Sequence, residues 1–102
     1  MRAIRYSRDF DEEFAELLEQ GIDRFGVRVV AAKRAQVLRT ITDFLVHHPV
    51  RPVDSDLGIC TYPVTGTPFL LIYDYDDHEL RLHLVIHERA DRSRIDLSGI
   101  AW

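Results

Sequence analysis

His83, His87, Arg89 and Arg92 stand close together in LHLVIHERADR, residues 82–92, with Arg81 just before and Arg94 just after. Imidazole is the side chain that titrates unperturbed near neutral pH, and guanidinium is a fixed, bidentate partner for phosphate. Those are the groups needed to cut RNA: one takes a proton, another gives one, and a cation steadies the charge developing at phosphorus. The same residues could instead frame a binding surface. Spacing gives a first test. On one strand face His83 and His87 lie about 13 Å apart, at about 3.3 Å per residue. That is too far to share a metal ion or one proton-transfer step. A surface or hydrogen-bonded structural histidine is the plainer reading of each. Arg81 and His87, the best clamp-and-base pair with Arg89 beside them, are expected on one face but roughly 20 Å apart. Glu88, Asp91 and Asp96 interleave with the arginines, so solvated ion pairs of small individual worth compete with a phosphate clamp.

Other reactive side chains have quieter readings. His47 and His48 fall at a predicted helix end, where a cation favours the macrodipole, and adjacent helical residues do not face the same way. Cys60 follows apolar Ile59 and reads as a small buried hydrophobe. Tyr73 and Tyr75 share a strand face with Phe69 and Leu71 and read as packing residues. The chain has no glycine-rich phosphate loop, no Ser-His-Asp constellation and no metal-binding motif. No cofactor or metal is expected.

The elements that must position these groups are legible from periodicity. The chain has 102 residues, 46% hydrophobic and 29% charged, which predicts one globular domain over residues 1–102. No apolar run approaches the roughly 20 residues that span a bilayer, and MRAIRYSRDF lacks the apolar stretch of a signal peptide. The single cysteine precludes an internal disulfide, and a cytoplasmic location is expected. Net charge is −4, a poor basis for generic nucleic-acid binding. AIRY at 3–6 is a short strand candidate. Asp9, with Glu12 three residues on, offers a carboxylate capping box, and Phe10, Phe14, Leu17 and Leu18 recur at helical spacing. Gly21 or Gly26 ends that helix. A second runs from about Val27 to His47 with a stripe of Val30, Val37, Leu38, Ile41, Phe44 and Leu45, and HHPVRP stops it.

The period then changes. GICTYPV at 58–64, FLLIYDY at 69–75 and ELRLHLVIH at 79–87 read as strands, the last two joined by DDH. In the last strand Leu80, Leu82, Leu84 and Ile86 are expected on the face under the helices, with Arg81, His83, Val85 and His87 on the other. The fold class is therefore α+β: a short N-terminal strand, a two-helix hairpin and an antiparallel three-strand meander, in a two-layer sandwich.

That order, in about this length, resembles the RelE/ParE toxins of bacterial type II toxin–antitoxin systems. The carrying residues are GICTYPVTGTPFLLIYDYDDHELRLHLVIHERADR at 58–92: Gly58 leading a strand, Pro68-Phe69, Tyr73 near a strand end, and Val85-Ile86-His87 before the basic ending. The resemblance implies a toxin held inactive by a cognate antitoxin, as a homodimer or a toxin–antitoxin hetero-oligomer. RelE-like members are ribosome-dependent mRNA endonucleases, and ParE-like members inhibit DNA gyrase without cutting RNA. This chain departs from the nuclease pattern. Cys60 stands where an arginine is common, DLSGIAW has no lysine or tyrosine to complete a basic cluster, and Lys33 is the only lysine. The ParE-like branch is expected, with Arg81, His83, Arg89, Arg92 and Arg94 binding antitoxin or target. The alternatives are a nuclease using Arg81, His87 and Arg89, or an inactive member that only binds antitoxin.

Overall fold

Ser7 is the joint between the first strand and the first helix. In the computed structural model, which describes residues 1–102, its side chain is buried. Its hydroxyl accepts from the Phe10 amide at 2.8 Å and so caps the helix. The same hydroxyl donates to the His83 carbonyl at 2.6 Å, and the Ser7 amide donates to the Leu82 carbonyl at 3.0 Å. Asp9 is therefore not the cap. It lies inside the first turn, where its carboxylate accepts from the Ala101 amide at 2.9 Å.

The elements follow as β1 (Ala3–Tyr6), α1 (Arg8–Phe25), α2 (Val27–Arg39), a π-helical turn (Thr40–Leu45), β2 (Cys60–Pro63), β3 (Phe69–Tyr75), β4 (Glu79–His87) and a 3-10 turn (Arg92–Arg94). The sheet order is β1-β4-β3-β2; β1 runs parallel to β4 and the other pairs are antiparallel. This is the α+β architecture the periodicity predicts. Gly26 separates the helices at φ 86° and ψ 164°, a conformation essentially reserved for glycine. No helix is long and apolar enough to cross a membrane.

Regular α-helix stops at Arg39, earlier than the expected end at His47. The Thr40 and Thr42 hydroxyls donate back to the Gln36 and Leu38 carbonyls at 2.8 and 3.0 Å, and the Val46 amide reaches Ile41, five residues back, at 3.2 Å. Such back-bonding competes with the helical ladder. Val37, Ile41 and Leu45 stay in the core, while Phe44 is exposed.

The expected leucine face of β4 does not form as one face. Ile72 of β3 pairs with Leu84, but the next residue, Tyr73, pairs with Leu82, so His83 is an extra residue in the ladder. Leu80, Leu82 and Val85 pack into the core under the helices with Phe10, Phe14 and Ile41. Leu84 and Ile86 lie instead in a second cluster with Leu70 and Ile72. The bulge thus reverses the alternation, and His87 moves to the helix side, away from Arg81. The second cluster is closed by Leu57, Ile59, Ile95 and Leu97. The C-terminal segment lies over the far side of the sheet as a strap, fastened where the Arg8 amide donates to the Ala101 carbonyl at 2.8 Å.

Candidate functional site

Asp74 organises the one polar cluster on the sheet. The two-residue turn at Asp77-His78 sets the register that places it opposite Arg81. Arg81 Nε donates to Asp74 Oδ1 at 2.8 Å and Nη2 to Oδ2 at 3.3 Å; Nη1 donates to Asp76 Oδ2 at 2.9 Å and to Glu79 Oε1 at 2.8 Å. Four of the five guanidinium donors are spent on carboxylates. Burial alone would raise the Asp74 carboxyl, but the bonds from Arg81 and His83 outweigh it and hold it below the usual carboxylate range. Asp76 is held low by Arg81 and by the His78 and Glu79 amides, which donate to its Oδ1 at 2.7 and 2.9 Å and fix the hairpin turn. Asp74, foremost among the three carboxylates, raises the Arg81 pKa further.

His83 completes the cluster. Its Nε2 lies 3.0 Å from Asp74 Oδ1, its side chain is 16% exposed, and its Nδ1 is buried without a partner. The indole of Trp102 stands perpendicular to the imidazole with centroids 4.8 Å apart. Arg5 covers the indole, its guanidinium carbon 5.2 Å from the ring centroid, so the last residue of the strap seals the cluster.

The basic ending does not converge on this point. Arg92 pairs with Asp54 at 2.8 Å. Burial pushes Asp54 up, but the Asp56 amide, Arg92 and the Leu57 amide together pull it lower. Arg94 pairs with Asp91 at 3.3 Å, and both are exposed. Arg89 is exposed and makes no ion pair; its amide donates to His87 Nδ1 at 3.1 Å. Arg81 and His83 are thus together, Arg92 and Arg94 are each held by a carboxylate, and His87 lies across the sheet. The expected shared face of Arg81 and His87 is overturned by the bulge at His83.

The quieter groups sit as follows. Cys60 is buried, and desolvation pushes its thiol up. Tyr73 donates to the Pro49 carbonyl at 2.8 Å in the core, and burial raises its pKa. His47 and His48 are exposed beyond the π-helical turn.

Two features lie outside the sequence reading. Asp74 stands opposite Arg81 because the turn is the two residues Asp77-His78, closed where the Asp76 amide donates to the Glu79 carbonyl; a hairpin centred on DDH would put Leu80 there instead. The seal by Trp102 had no local signal, because it depends on where the strap crosses the sheet. The second feature is a cavity of about 420 Å³ between the helix hairpin and the Phe69 end of the sheet, with His87 in its wall. No family model matches the chain, and comparison with curated proteins finds no match.

Proposed function

We propose that the chain is the toxin of a bacterial type II toxin–antitoxin pair, of the ParE-like kind, arresting growth by binding DNA gyrase and restrained by a cognate antitoxin. The observation that carries the choice of a binding mechanism is the state of Arg81. A phosphate clamp needs free donors aimed at one point, and Arg81 has four of its five committed to Asp74, Asp76 and Glu79. The candidate base, His87, belongs to the other side of the sheet and lines an apolar cavity. Arg89 remains as an unpaired cation, suited to a protein contact. The element order that carries the resemblance is also the order into which the chain folds.

One observation favours the mRNA-endonuclease alternative. His83 and Asp74 form a hydrogen-bonded imidazole–carboxylate pair, the arrangement that orients a general base. Trp102 and the strap cover it, so the nuclease reading requires the strap to leave.

Purified chain should inhibit gyrase supercoiling in a dose-dependent way and leave mRNA intact in a translating extract. Cleaved mRNA with untouched supercoiling transfers the proposal to the nuclease branch. Neither effect, with a folded chain, leaves only the antitoxin-binding alternative.

A further inference from the structure

The cavity beside His87 joins apolar walls to basic side chains with no carboxylate among them. It lies between α1 and α2, and Gly21 lets the two helices come close beside it: a Cβ there would meet Val30 Cγ2 at 3.1 Å. Leu17, Leu18, Val30 and Phe69 line it, and Phe25 and Val29, 61% and 44% exposed, stand at its mouth. Ile22 and Val27 extend the exposed apolar surface beyond the cavity along the same helix junction. Isolated exposed apolar residues are ordinary, but four on one junction beside a hollow mark an interaction surface.

The charged residues lining it are all basic. Arg24, Lys33 and His87 line the cavity and no carboxylate does, on a chain whose net charge is −4. None of the three takes part in any of the molecule's ion pairs. Each is held by a neutral group instead: Arg24 lies over the Phe25 ring, Lys33 donates to the Gly66 carbonyl, and His87 Nδ1 accepts from the Arg89 amide. An apolar hollow rimmed by two fixed cations, Arg24 and Lys33, complements an apolar side chain flanked by carboxylates.

From this we infer that the cavity is the docking site for an amphipathic helical segment of a partner protein, one that inserts an apolar anchor and lays acidic residues against Arg24 and Lys33. A small amphiphilic anion fits the volume but leaves Ile22 and Val27 in water. A helix laid in the groove covers them, with anchors at i, i+4 and i+7. The inference stands on the cavity alone, and holds whether or not the chain is a toxin.

The test uses two fluorescein-labelled alanine-based helical peptides with Leu, Phe and Leu at i, i+4 and i+7. One carries glutamates on its flanks and the other lysines. Anisotropy titration against the full chain should show the glutamate peptide binding at least about 10-fold more tightly. Arg24→Glu with Lys33→Glu should reverse that order. Val29→Asp should abolish binding while preserving the fold, because the third position of a helix favours a carboxylate and the first turn of α2 has none. Circular dichroism of each variant checks the fold. Equal binding of both peptides, binding indifferent to Val29→Asp, or no peptide binding while decanoate binds saturably, overturns the inference. Binding of neither peptide nor decanoate overturns it as well.

Discussion

Replacing Ser7 by alanine should cost this domain more than any other single-atom change in its polar framework. The hydroxyl does two jobs. It caps α1 by accepting from the Phe10 amide, and it donates to the carbonyl of His83, the extra residue of the β4 bulge. Loss of a serine cap to alanine costs about 1 kcal/mol. Leaving a buried polar group without its partner costs about 1–3 kcal/mol more. The sum is about 2–4 kcal/mol, a large share of the roughly 5–15 kcal/mol that holds a domain together. At about 4–8 °C per kcal/mol for a chain near this size, the melting temperature should fall by roughly 8–32 °C. Ser7→Gly separates the two jobs, since glycine caps almost as well as serine but cannot donate to His83. It should recover about half of the loss. Urea unfolding and calorimetry of both variants make the measurement. If both variants stay within about 0.5 kcal/mol of wild type, the coupling of the cap to the bulge is refuted.

Three further outcomes follow from the same geometry. Arg81→Leu should destabilise by about 1–2 kcal/mol at neutral pH, between an exposed and a buried ion pair. Because Asp74 is depressed in the folded state, its contribution is present above the ordinary carboxylate pKa near ~4 and is lost as pH falls below it. The gap from wild type in urea midpoint should therefore close between about pH 4 and pH 2, and a gap that stays constant with pH contradicts the assignment. His87→Ala should leave growth arrest intact at matched expression, with a stability loss under about 1 kcal/mol for an exposed side chain; loss of arrest with full expression would make His87 functional. Arg89→Glu with Arg92→Glu should weaken antitoxin binding by at least about 10-fold through the exposed Arg89, and unchanged affinity in a pull-down or titration displaces the contact from the basic ending.

The bounds of β3 and β4 were legible because aromatic and branched residues run between clear turns, and FLLIYDY and ELRLHLVIH coincide with the strands. The faces of β4 were not legible. A bulge needs one extra residue between two partners, and His83 carries no mark of it. Two signals pointed that way. Leu84, Val85 and Ile86 break strict alternation, and five successive buried residues from Phe69 to Tyr73 require cover on both sides of the sheet. The second cover came from Ile95 and Leu97, in a C-terminal segment without periodicity. The cap moved from Asp9 to Ser7 because capping depends on which side chain the sheet also needs. Among the candidate site residues, the pairing of Arg81 with Asp74 depends on a two-residue turn at Asp77-His78, one residue out of register from a turn centred on DDH. The separation of His87 from Arg81 followed only from the bulge.

The central claim is that the chain arrests growth by binding and not by cutting RNA. Inducing it alone in a bacterial host, with transcripts mapped at nucleotide resolution and cell length and DNA breaks scored in the same culture, tests that claim most directly. The account predicts growth arrest with filamentation and DNA breaks, no codon-specific mRNA cleavage, and rescue by the co-expressed antitoxin. Arrest accompanied by cleavage within translated codons, abolished by His83→Ala in a folded chain, would contradict it.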